Sequence, residues 1–253
     1  MLTKKDWILI KKISFVDFKL RFNSSVLGFV WSLLNPLLML MVLFVVFSVL
    51  LKSPIENYSL FVLLGIVSWN FFSVCTKNGM ASILNKASLI NKVYFKKEIL
   101  VIASCLTSFY SFLLNLVVFF IIMVISGVSF HYTNFYYFIP LFSLLILSLG
   151  ISFGLSAFYT KFRDLNEIWT VLLQAGFFLA PIIYPVTLIP GKYFKFYFLN
   201  PFSRILTESR DLLITHSAPS VRFVLITVVM SIIVLLVGYM IFKLREPSMV
   251  EEL

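Results

Sequence analysis

Long apolar runs alternate with short polar connections along almost the whole chain. Six of them, near residues 26–51, 58–76, 99–126, 135–160, 168–189 and 221–242, are each long enough to cross a bilayer as a helix, which takes about 20 residues. The pattern predicts an all-α integral membrane protein, a single domain over residues 1–253 with six transmembrane helices. Turn signals stand at several joints: Lys52-Ser53-Pro54, Ser126-Gly127 and Pro190-Gly191.

Three stretches break this rhythm. The first, 4–22, precedes the first apolar run and carries Leu9, Ile13, Val16 and Leu20 on one helical stripe, with Phe15, Phe18 and Phe22 on another and Trp7 close to it. One stripe can enter the membrane interface while the other meets protein, or the helix is a plain in-plane anchor. It is too charged to be the apolar core of a signal peptide. The second, 77–98, holds Lys77, Lys86, Lys92, Lys96 and Lys97 against Glu98, and its Met80, Ile83, Leu84, Ala87 and Ile90 follow one helix face. The third, 190–220, is too apolar for a free loop and too broken for a span. Its Asn200-Pro201 step divides two short amphipathic pieces, which fit either a segment dipping into the outer leaflet or an interfacial hairpin.

Composition agrees with a membrane protein. The chain is 60% hydrophobic and 13% charged, with mean hydropathy +1.01, whereas soluble domains carry about 25% charged residues. The net charge of +10 sits mostly on the N-terminus and loops, where it sets topology and attracts anionic lipid, and no nucleic-acid partner is expected. Lys and Arg number 15 on the side holding the N-terminus, loops 77–98 and 161–167 and the C-terminal tail, against 6 on the other. That bias places both termini in the cytoplasm.

The spans carry no Asp, Glu, Lys or Arg in their interiors, which argues against an ion-coupled transporter. No GxxxxGK[ST] phosphate cradle occurs, so ATP is not bound by that motif. His131 and His216 fall far apart on the outer side, and Cys75 and Cys105 lie in apolar runs as packing residues with no metal site. Asn35, Asn70, Asn115, Gln174 and several serines are the polar groups within the runs, suited to bonds between helices. Gly150 and Gly154 form GxxxG, which permits close helix approach within one subunit or between two. Aromatic residues reach 17%, and aromatic faces suit sugar rings. A six-span transporter without a coupling ion needs energy from a partner docked on its basic segment.

Several blocks resemble the ABC-2 type permeases. In FKLRFNSSVLGFVWSLLNPLLMLMVLFVVFSVL, residues 18–50, Ser25, Leu27, Gly28, Trp31 and Pro36 occupy the places of that family's opening block. LINKVYFKKEIL is similar to its loop between spans two and three, Arg163-Asp164-Leu165 with FLAPIIYP to a later block, and LNPFSRILTESR to its N-P…R segment. The tail FKLREPSMVEEL is similar to its acidic end. One departure is Lys96, which stands after Phe95 where the family often has proline and lets the third span begin earlier.

The resemblance is to the branch exporting O-antigen, capsule and teichoic acid polymers. It implies a homodimer in the bacterial inner membrane with a channel at the interface. Two copies of a separate ABC ATPase would bind ATP and Mg, leaving no cofactor on this chain, and the cargo would be a lipid-linked polysaccharide. Asn85, Lys86, Leu89, Ile90, Lys92 and Phe95 would couple to the ATPase, and Trp7, Phe15, Phe18 and Phe22 would form the interface helix. Trp31, Asn35, Trp69, Asn70, Gln174, Phe177, Phe178 and Tyr184 are candidate channel lining. Tyr193, Phe194, Tyr197, Pro201, Arg204 and Arg210 would form the outer gate. A drug or other small amphiphile is the alternative cargo. A lipid-linked sugar transferase is the alternative class, and Asp164 and Glu167 are its candidate carboxylates.

Overall fold

A computed structural model of the chain describes residues 3–23, 34, 37–39, 41–42, 45, 57–87 and 96–250. Among the described residues there are eight α-helices, short 3-10 turns and no strand. The helices are α1 (Lys4–Asn23), α2 (Tyr58–Ala81), α3 (Glu98–Ile125), α4 (Phe138–Tyr159), α5 (Leu165–Leu179), α6 (Phe194–Tyr197), α7 (Pro201–Leu213) and α8 (Val221–Arg245). Helices α2, α3 and α8, and the segment Tyr132–Tyr159 that ends in α4, are each long and apolar enough to cross a membrane. These correspond to four of the predicted runs. Most of the first run lies outside the described residues, together with Trp31 and Asn35.

The fifth run is not one continuous span. Helix α5 has 15 residues, about 22 Å of helix against about 30 Å of hydrocarbon. Pro181 has no N–H to continue the ladder and disfavours helical backbone before it; Ala180 is extended, at φ −81° and ψ 152°. Turns and a 3-10 turn at Val186–Leu188 follow. The Tyr184 hydroxyl donates to the carbonyls of Phe178 and Leu179, each at 3.0 Å, and so caps the end of α5.

The basic stretch also differs from expectation. Met80 to Ala87 is not one continuous helix, and Ile90 lies outside the described residues. Helix α2 runs on to Ala81, and the Ser82 hydroxyl then donates to the Gly79 carbonyl at 2.7 Å. This local bond competes with helical continuation, and a 3-10 turn at Leu84–Lys86 replaces it. Met80 and Ile83 are buried.

Helix α1 is opened by a reciprocal cap. The Thr3 N–H donates to Asp6 Oδ2 at 2.7 Å, and the Asp6 N–H to Thr3 Oγ1 at 3.3 Å. Its buried line passes between the two predicted stripes. Ile10 packs on Ile99 and Ala103 of α3, with Leu9 and Ile13 beside it. The Ser14 carbonyl accepts the Thr107 hydroxyl at 3.1 Å. Trp7, Phe15, Val16 and Leu20 are exposed, which suits a face turned to the membrane interface.

The 190–220 segment contains the two expected short helices, α6 and α7. Asn200 caps α7 by accepting the Phe202 N–H at 3.0 Å, and Pro201 takes the first helical position. Helix α7 is built into the bundle: Phe202, Ile205, Leu206 and Leu213 join the main core with α2, α3 and α4.

Helices α4 and α8 cross at glycines of one subunit, which settles the role of the GxxxG pair. A Cβ on Gly150 would collide with the backbone of Val234 and Leu235, and one on Gly238 with the Gly150 carbonyl. Overpacking of this kind costs about 1–3 kcal/mol. We expect Gly238→Ala to lower the thermal unfolding temperature of the detergent-solubilised chain. Gly191→Ala, where a Cβ meets nothing within 4 Å, serves as the neutral control.

Candidate functional site: an aromatic groove between α2 and α5

On α2, Trp69, Ser73 and Lys77 recur every four residues and so share one face. On α5, Thr170, Leu173, Gln174 and Phe177 follow the same periodicity. The two faces, with Phe178 and Met39, enclose an open groove of about 350 Å³. The Trp169 indole N–H donates to Thr76 Oγ1 at 3.0 Å and holds α5 against α2. Gly176 makes room for the Trp69 ring, which a Cβ there would strike.

The groove has an aromatic end and a polar end. Trp69 meets Phe177 edge-on at 6.3 Å between centroids and Phe202 at 4.9 Å, so its ring plane is fixed by two helices. Gln174 is exposed, and Ser73 Oγ is buried without a hydrogen-bond partner. Four predicted lining residues, Trp69, Gln174, Phe177 and Phe178, are thereby brought together. Asn70 is half-buried and lies outside the groove, and Tyr184 is engaged in capping α5.

The residues expected at the outer gate divide in two. Tyr193 and Phe194 are exposed, Tyr197 is half-buried and Pro201 starts α7, whereas Arg204 and Arg210 are buried. Arg210 donates through Nε and Nη2 to the Phe61 carbonyl at 3.2 and 2.9 Å, through Nη2 to Ile182 at 2.8 Å, and through Nη1 to Pro181. Its Cζ lies 3.3 Å from the Phe61 ring centroid. Arg204 donates to Thr227 Oγ1 at 3.1 Å and to the Phe223 carbonyl at 2.9 Å. Glu208, which sequence reasoning passed over, accepts the Thr227 hydroxyl at 2.5 Å. The signal for this buried network was Arg204 and Glu208 four residues apart on an amphipathic helix.

At the other end of the bundle, ion pairs frame the lysine-rich stretch. Lys86 pairs with Asp17 at 2.5 Å and Lys96 with Asp6 at 2.7 Å, tying the stretch to α1 on both sides. Lys243 of α8 pairs with Glu98 at 2.7 Å and Glu246 at 2.9 Å, and the Tyr239 hydroxyl donates to Glu98 at 2.9 Å. Lys97 donates to the Glu246 carbonyl at 2.5 Å. Of the residues expected to couple to an ATPase, Asn85 is exposed and Lys86 is held by Asp17; both line a polar cavity of about 280 Å³ with Asn78, Ser82 and Thr107. Leu89, Ile90, Lys92 and Phe95 lie outside the described residues. Of the interface-helix aromatics, Phe18 meets Tyr110 edge-on at 5.9 Å, and the Phe22 side chain is not described.

Other groups take positions that sequence left open. Asp164 stands at the start of α5, and Glu167 in its first turn accepts from Asn166 Nδ2 at 3.1 Å. The His131 and His216 rings meet at 5.5 Å between centroids despite their separation in sequence. Cys75 and Cys105 are free and buried.

The site thus lies in a helical membrane bundle with a lysine-rich brace at one end and a buried helix, α7, at the other. The chain belongs to the family of ABC-2 type transporters, whose pattern matches residues 9–214. It is 27% identical over 237 residues to the O-antigen export system permease protein RfbA of Klebsiella pneumoniae, covering 93% of this chain and 91% of that protein. RfbA of Myxococcus xanthus is also 27% identical, over 244 residues, with 94% and 92% covered. The polysialic acid transport protein KpsM of Escherichia coli is 22% identical over 245 residues, with 96% and 95% covered.

Two predictions test this geometry. Arg210→Ala leaves the Pro181 and Ile182 carbonyls without their donor and removes the bonds to Phe61, at a cost on the order of 3 kcal/mol, and should lower the unfolding temperature in detergent more than Arg222→Ala. The Lys96 ammonium and the Thr3 N–H hold the Asp6 carboxyl down at about 2 from its ordinary 3.8. The depressed value means that this stabilisation is present above about 3.8 and is lost as pH falls through about 2. Limited pepsin digestion should therefore release α1 progressively as pH drops from 4 to 2, and Asp6→Asn should make the release independent of pH in that window.

Proposed function

We propose that the chain is the permease subunit of an ATP-driven exporter that carries a lipid-linked, O-antigen-like polysaccharide from the cytoplasm to the outer face of the bacterial inner membrane. The observation that carries this reading is the groove. Trp69, Phe177 and Phe178 supply apolar faces for sugar rings, and Ser73, Thr170 and Gln174 supply hydrogen bonds to hydroxyls along the same path. The relatives named for O-antigen export and polysialic acid transport, similar over nearly the full chain, support the same cargo class. A sugar polymer needs this mixture of flat faces and polar atoms, whereas a small amphiphile would be served by an apolar slot.

In this reading two copies of the chain form the channel, with both termini in the cytoplasm. Two copies of a separate ABC ATPase dock on the lysine-rich stretch and on α1. The ion pairs Lys86–Asp17 and Lys96–Asp6 support this arrangement, because they make the docking stretch and α1 move as one body. The Tyr193–Tyr197 region serves as the outer gate, and α7 is its buried hinge.

The test is export in cells that make the chain and its ATPase. Trp69→Ala with Phe177→Ala should lower surface polysaccharide at least about tenfold, on the scale of lost stacking, at an unchanged amount of membrane-inserted protein. Undiminished export would sink the reading.

A further inference from the structure

Among the described lysines of the basic stretch, three are engaged within the chain: Lys86 by Asp17, Lys96 by Asp6 and Lys97 by the Glu246 carbonyl. Lys77 is the exception. It has no hydrogen bond and no ion pair, is half-buried, and lines the groove two helical turns from Trp69. Eight residues of helix separate the two, about 12 Å. Among the described residues, no carboxylate lines the groove to neutralise it. Between them lies Ser73, whose hydroxyl is buried without a partner.

The buried Ser73 hydroxyl without a partner is unfavourable in the unliganded chain, and the Lys77 ammonium beside it is an unengaged donor at the groove. An oxyanion would satisfy both, since the ammonium supplies a mobile point charge with three donors. The aromatic end, one to two sugar rings away, would take what is attached to that anion. The groove is thus polarised: charge recognition at the Lys77 end, ring recognition at the Trp69 end.

We propose that Lys77 recognises the phosphate head of the lipid-linked saccharide and sets its register, so that the first sugars beyond the phosphate lie on Trp69 and Phe177. This rests on the export reading above and adds to it a residue that binds the carrier's charge rather than the polymer. Lys77 would then read the charged junction of the cargo and not the sugar sequence of the polymer.

The probe is farnesyl pyrophosphate, titrated onto the full-length chain in phosphatidylcholine nanodiscs and followed by tryptophan fluorescence, with farnesol and inorganic pyrophosphate as comparisons. The wild-type chain should bind farnesyl pyrophosphate at least about tenfold tighter than farnesol, Lys77→Gln should lose about that factor, and Lys77→Arg should keep most of it. Equal binding by wild type and Lys77→Gln, or equal binding of farnesol, overturns the proposal. Competition by inorganic pyrophosphate at the same affinity would mean a free anion is read, and overturns the assignment to a lipid head. A parallel export measurement separates insertion from recognition. If Lys77→Gln lowers export only in proportion to the inserted protein, the residue serves topology and the proposal fails. A failure of this kind leaves the export reading intact as long as the Trp69 and Phe177 variant still loses export.

Discussion

The guanidinium of Arg210 is the interaction on which one end of the bundle depends. Pro181 ends α5 inside the bundle and leaves the carbonyls of Pro181 and Ile182 without helical donors, and the Phe61 carbonyl at the start of α2 faces the same space. Irregular backbone there is tolerated only where protein or water satisfies it. Arg210 brings its donors to all three carbonyls, and Gly65 leaves the room, since a Cβ there would press on Nη2. One buried side chain thus joins α2, the broken end of α5 and α7. The shortness of α5, and with it the position of Phe177 and Phe178 at the groove's aromatic end, follows from that junction.

The same logic runs along α7. A helix that carries Arg204, Glu208 and Arg210 into an apolar bundle must engage its polar groups. The two guanidiniums meet carbonyls, Thr227 and aromatic faces, Arg204 lying 3.8 Å from the Phe223 ring centroid, while Glu208 bonds Thr227 through Oε1 and its Oε2 is buried without a hydrogen-bond partner. At the opposite end the charges are paired with one another across elements: α1 with the basic stretch, and α3 with α8. The groove runs between these two differently constructed ends. Its single unpaired cation, among the residues that line it, is the one its neighbours do not use for structure.

Much was legible in the order of apolar and polar residues. The runs 58–76, 99–126, 135–160 and 221–242 became long apolar helices because a 20-residue apolar stretch has few other ways to satisfy its backbone in lipid. The Asn200-Pro201 helix start and the lysine excess at one end are local chemistry, readable residue by residue. Trp69, Gln174, Phe177 and Phe178, grouped by family likeness and not by spacing, line one groove.

Other features depend on what stands opposite. Nothing near Lys86 or Lys96 in sequence says that Asp17 and Asp6 will neutralise them while Lys77 stays unpaired; pairs separated by 69 and 90 residues exist only once α1 lies on α3. Arg204 and Arg210 read as outer-gate residues, and nothing in the sequence says that both are buried, because an amphipathic segment carries no label for the bundle it enters. Gly150 and Gly154 permitted close approach without naming a partner, and α8 with Gly238 turned out to be that partner. The sequence by itself determined the medium, the helices and the basic end, because those follow from backbone satisfaction and solvation along the chain. Only the tertiary structure decided which charges are structural and which remain free to bind, because that depends on side chains meeting across the bundle.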